Sequence, residues 1–170
     1  MITVSIISLI LSFLLQGLMS NIFNFNIGSL SIFCTIYLVV NMVVLQQYFD
    51  YDKKYLIIIS IFGLMMDIVY SSTALFNVFI FIGIFYLNKI LTSFLPYNLL
   101  TINFFAIISV FFYHVVTFFF LKVLNFDTYS IYTLFKILYS NIIMTIIYTS
   151  ILYYVIGYIY KKFDLKIIRE

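Results

Sequence analysis

Charge is scarce in this chain: 9% of its 170 residues are Asp, Glu, Lys or Arg, against 65% that are hydrophobic and 22% that are aromatic. A water-soluble domain of this length cannot bury so much apolar surface, which excludes a soluble enzyme or binding module. Proline occurs once, so the apolar runs go unbroken. The single cysteine, Cys34, excludes a disulfide framework or a thiolate metal cluster within one chain. Within its hydrophobic segment it reads as a small buried hydrophobe. The single histidine, His114, has too few companions for a metal site, which takes three or four ligands. Also missing are an HExxH motif, a phosphate-binding glycine loop, a second intramembrane Asp for a dyad, and a Ser/His/Asp order with a nucleophile elbow. The sequence offers no catalytic constellation and no cofactor site.

What remains is a succession of long apolar runs. Helices of ~17 to 25 residues cross ~30 Å of hydrocarbon, and six such spans are expected: about Ile2–Met19, Leu30–Gln47, Tyr55–Tyr70, Leu75–Leu91, Leu99–Leu121 and Ile131–Tyr160. The alternation of a membrane barrel strand is absent. The fold class is therefore all-α, a polytopic membrane protein with residues 1–170 forming one transmembrane domain. No Lys or Arg precedes the first run and no small-x-small pattern follows it, so it is expected to be a retained span rather than a cleaved signal.

Basic residues set the orientation, because cytoplasmic loops are enriched in them. With the N-terminus inside, the inner loops and tail hold Lys53, Lys54, Lys89, Lys161, Lys162, Lys166 and Arg169, whereas only Lys122 and Lys136 lie outside. Both termini are thus expected in the cytoplasm. Tyr48, Tyr51 and Tyr55 on the inside, and Tyr129 and Tyr132 on the outside, fall where amphipathic rings mark membrane borders. The net charge of +3 reflects this topology and does not call for nucleic acid. The basic tail KKFDLKIIRE suits anchoring to anionic lipid or docking of a cytoplasmic protein.

Polar residues inside the spans recur at helical spacing. The first span aligns Ser5, Ser8, Ser12 and Gln16; the third aligns Ser60, Gly63, Asp67 and Ser71. The fifth aligns Asn103, Ala106, His114 and Thr117, and the sixth Asn141, Thr145, Tyr148 and Thr149. Such stripes turn toward other protein, where small residues admit close approach and hydroxyls or amides bond across the contact. Bundle packing is one reading of them, and the lining of a substrate cavity is another. Asp67 stands apart, since a carboxylate within a span costs about 3 kcal/mol on the insertion scale. It requires a bundle-facing position and a donor, with His114, Asn77 or a partner protein as candidates. Gly63, one turn earlier, removes a side chain from the same face. The stretch serves either as a buried structural bond or as a functional contact.

The length, the charge-poor first span, the stretch GLMMDIVYSS with Gly63 and Asp67, and the short basic tail together resemble the rod shape-determining protein MreD family. Members are small bacterial membrane proteins of five or six spans, commonly with a Gly-x-x-x-Asp in the third. A glycine common soon after that Asp is absent here, and the next one is Gly83. The resemblance implies a non-catalytic scaffold of the cell-elongation complex in the bacterial cytoplasmic membrane. It implies work with the bitopic protein MreC, with MreB, and with RodA and its penicillin-binding transpeptidase in peptidoglycan synthesis and maintenance of rod shape. It also implies a fold similar to the substrate-binding subunits of energy-coupling-factor vitamin transporters. Such a subunit is the alternative function. Those subunits present an Ala-x-x-x-Ala face on the first helix, and the first span here has no Ala.

Overall fold

The computed structural model describes residues 2–22, 35–49, 52–71, 75–124 and 130–163. They form α1 (Ile2–Ile22), α2 (Tyr37–Gln46), α3 (Asp52–Met66), a π turn (Asp67–Ser71), α4 (Phe76–Phe94), α5 (Leu99–Val123) and α6 (Ile131–Lys162). No strand occurs among the described residues. Among the described residues four helices, α1, α4, α5 and α6, are long and apolar enough to cross a membrane. The expected second span has only ten helical residues in the described part, about 15 Å of helix, and residues 30–34 of that span, Cys34 included, lie outside the described residues. The third span is the fifteen-residue α3 prolonged by the π turn.

The sequence of α2, YLVVNMVVLQ, is apolar on nearly all sides, and a helix of that kind must be covered on all sides. Every residue of α2 is buried. It packs against α1, α4, α5 and α6, while α3 pairs with α4, α4 with α5 and α5 with α6. The core is built from Val39, Val40, Val43 and Val44 of α2 with Leu9 of α1, Ile59 of α3, Phe81 of α4, Phe105 of α5 and Ile156 of α6.

The outer surface inverts the pattern of a soluble protein. Leu11, Leu14, Phe79, Ile90, Leu100, Tyr139 and Ile151 are exposed, whereas Ser5, Ser12, Asn41, Asn77, Asn88, Ser109, Asn141, Thr145 and Thr149 are buried. Without water to satisfy them, polar groups in a bilayer have to find protein partners. The sorting agrees with a polytopic membrane protein.

Two helix starts follow from local sequence. Asn98 accepts from Thr101 N at 2.9 Å, and Thr101 Oγ1 accepts from Asn98 N at 2.9 Å, a capping box on α5. Ser130 caps α6 by accepting from Thr133 N at 3.2 Å. The starts of α2 and α4 differ. Their N-cap residues, Ile36 and Leu75, supply no capping side chain.

Tyr48 and Tyr55, expected at the inner border, are both buried. Tyr48 stacks on Tyr160 with ring centroids 4.1 Å apart, and the Tyr55 hydroxyl donates to the Met42 carbonyl. The reason is the central seat of α2: residues that follow it are still inside the ring of surrounding helices. Tyr132, at the start of α6, is exposed. Tyr51, Tyr129 and tail residues 164–170 lie outside the described residues.

Candidate functional site

Asp67 is 1% exposed, and its carboxylate sits on the first turn of α4. Asn77 N donates to Oδ1 at 3.0 Å and to Oδ2 at 3.2 Å, and Asn77 Nδ2 donates to Oδ1 at 2.9 Å. The Tyr113 hydroxyl of α5 in turn donates to Asn77 Oδ1 at 2.7 Å. Asn77 is the second residue of α4, so its backbone N–H is one that no intrahelical carbonyl can take. Asp67 therefore caps α4 from ten positions upstream, where Leu75 cannot. The helix dipole adds to the donors, because the N-terminal end carries a partial positive charge. This arrangement offsets the cost of a carboxylate inside the bundle.

Gly63 makes that seat reachable. A Cβ at this position would stand 2.8 Å from Val78 Cα and 3.0 Å from Val78 N. The backbones of α3 and α4 meet at Gly63, one turn before the carboxylate, and only a hydrogen fits between them. Gly63, Asp67 and Asn77 thus form one joint.

Other residues of the expected stripe lie elsewhere. The Ser60 hydroxyl turns back to the Leu56 carbonyl at 2.7 Å, which satisfies it within its own helix. The side chain of Ser71 lies outside the described residues. The stripe presumed a regular helix through position 71, whereas the backbone widens into the π turn at Asp67 and shifts the direction of later side chains.

His114 does not serve Asp67. Its Nε2 lies 2.7 Å from Asn141 Nδ2, linking α5 to α6. Asn77 reaches the carboxylate first because it sits where α4 begins, next to the chain segment that follows Asp67. Among the described residues no three His, Cys, Asp or Glu side chains come together.

A second polar layer joins α1, α2 and α6. Asn41 Nδ2 donates to Ser8 Oγ at 2.9 Å and to Ser12 Oγ at 2.6 Å. Ser12 Oγ lies 2.8 Å from the Tyr148 hydroxyl, and Ser5 Oγ lies 3.0 Å from that of Tyr160. Gln16 Oε1 accepts from Tyr37 N, the first N–H of α2, at 2.8 Å. Gln16 does for α2 what Asp67 does for α4. The stripe Ser5, Ser8, Ser12 and Gln16 faces this layer, and Thr145 meets Thr35 at 2.7 Å.

Sequence reasoning passed over Asn41, Tyr113 and the pair Asn88 with Ser109, which bond at 2.9 Å between α4 and α5. An amide in the middle of the apolar stretch YLVVNMVVL was the available signal for Asn41. Tyr113 carried none, being one of 16 tyrosines. These arrangements tie neighbouring helices together in fixed register.

No family model, no curated protein and no solved structure matches this chain.

Proposed function

We propose that this chain is a non-catalytic membrane scaffold of the MreD type. In this reading it lies in the bacterial cytoplasmic membrane, binds a bitopic MreC-like partner, and supports peptidoglycan synthesis by a RodA and penicillin-binding protein complex coordinated with MreB. The observation that carries the reading is the joint of Gly63 and Asp67. The Gly-x-x-x-Asp pair on which the family resemblance rests is the point from which α4 is hung on α3. The distribution of polarity adds support. Buried amides and hydroxyls bond between the chain's own helices, and the exposed faces are apolar. A partner's single span would meet those faces, where association depends on close packing rather than on hydrophobicity.

Depletion in a rod-shaped host is expected to give rounded cells, and affinity purification in mild detergent should recover an MreC-like protein by mass spectrometry. Unchanged shape together with a collapse of vitamin uptake, or recovery of an ATPase complex in place of the bitopic partner, would overturn the scaffold and favour a transporter subunit.

The orientation is a separate expectation, resting on seven Lys and Arg inside against two outside. Reporter fusions at Glu170 and within DYDKK should both behave as cytoplasmic, and a periplasmic signal from either contradicts the topology.

A further inference from the structure

Two unusual backbone features flank the start of α4. The chain runs as a π turn over Asp67–Ser71, a form that is rare and frequent at functional sites. Leu75, the N-cap of α4, has φ 64, a left-handed conformation that a branched apolar side chain adopts only under constraint. Strain of this kind persists where the surroundings hold it in place.

The π turn also carries Tyr70. Its hydroxyl donates to the Phe13 carbonyl of α1 at 3.0 Å, and its ring lies 5.0 Å from that of Phe13. The hydroxyl occupies the space a Cβ on Gly17 would fill, so Gly17 is the socket for Tyr70. In a regular α-helix, residues three apart share one face. Asp67 and Tyr70 do not. One reaches α4 and the other α1, and the wider turn is what separates them.

We propose that the π turn is a latch coupling the start of α4 to the edge of α1. With Asp67 seated on Asn77, the turn stays wide and Tyr70 rests on Phe13 and Gly17 of α1. When Asp67 leaves its seat, the turn relaxes to regular helix, and Tyr70 swings off Phe13 and Gly17. A displacement at the α3–α4 joint is thereby transmitted to α1 on the far side of the π turn. This inference does not depend on the identity of any partner.

The test uses the full chain in lipid nanodiscs with fluorotyrosine at position 70 alone, read by fluorine NMR. Gly17→Ala, which fills the socket and leaves Asp67 untouched, marks the signal of the displaced ring. Asp67→Ala and Asn77→Pro, the second of which removes both the backbone and the side-chain donor at a first-turn position that tolerates proline, are expected to move more than half of the intensity from the wild-type position to that of Gly17→Ala. A signal left at the wild-type position in folded Asn77→Pro would overturn the latch, whether or not Asp67→Ala folds, and so would one left there in folded Asp67→Ala. A second measurement is Tyr70→Phe, expected to lower the melting midpoint by about 2–4 °C in the wild type and to leave it unchanged in Asn77→Pro. An equal lowering in both backgrounds also overturns the coupling.

Discussion

Gly63→Leu is expected to destabilise the bundle by about 3 kcal/mol, at the upper end of what overpacking costs. The cost is high because the first atom added has nowhere to go. A Cβ at this position meets Val78 Cα at 2.8 Å and Val78 N at 3.0 Å. Those are backbone atoms and cannot turn aside as a side-chain tip would, so α4 must move as a body. Moving it draws Asn77 away from Asp67 and weakens the three bonds between them. Thermal unfolding in detergent measures the loss, and co-purification with the partner should fall with it. Gly157→Ala is the internal control, because a Cβ there meets only the Tyr48 hydroxyl, at an ordinary 3.7 Å. If Gly63→Leu melts with the wild type, the backbone contact does not hold the two helices.

The contrast between these glycines shows what the sequence can and cannot reveal. The helical class and the rough course of six helices are legible, because apolar runs need no knowledge of neighbours. The start of α1, α5 and α6 at Ile2, Leu99 and Ile131 agrees with the expected spans. The caps at Asn98 and Ser130 also close within three residues, although the expected spans rest on the apolar runs alone. The shortness of α2 is not legible, since VVNMVV would suit a full span equally well and its end is fixed by Gln16, 21 positions upstream of Tyr37. The π turn is equally hidden, because period 3.6 carries the eye through Asp67 to Ser71. For the joint, the sequence supplies a glycine, a carboxylate and a nearby amide but not their pairing. Three donor bonds from Asn77 arise from the way α4 turns back along α3. His114 is equally polar and equally inside a span, and it differs only in the neighbour its helix gives it, Asn141.

Asp67→Ala is expected to cost about 3 kcal/mol, because it removes a charged acceptor and a hydrogen bond to a charged group is worth about 1.5–3 kcal/mol. The bonds lost come from the backbone N–H of Asn77 and from its side-chain amide. Leu75 offers no substitute cap. Asp67→Asn is expected to cost only about 1 kcal/mol, the worth of one hydrogen bond. The amide oxygen can still accept both Asn77 donors while the charge on the dipole is lost. Asn77→Ala removes the side-chain donor and also the oxygen that accepts from Tyr113, but keeps the backbone N–H for the carboxylate. The double variant Asp67→Ala with Asn77→Ala should therefore cost at least about 1 kcal/mol less than the sum of the single ones, as for residues in one bonded network. Melting midpoints of the four proteins in the same detergent measure this. Strict additivity would mean that Asp67 draws its support from elsewhere than the start of α4. In co-purification, Gly63→Leu should harm partner binding more than Asp67→Asn does, because the leucine moves α4 whereas the amide leaves it in place. The reverse order would make the carboxylate's charge, rather than the position of α4, what a partner reads.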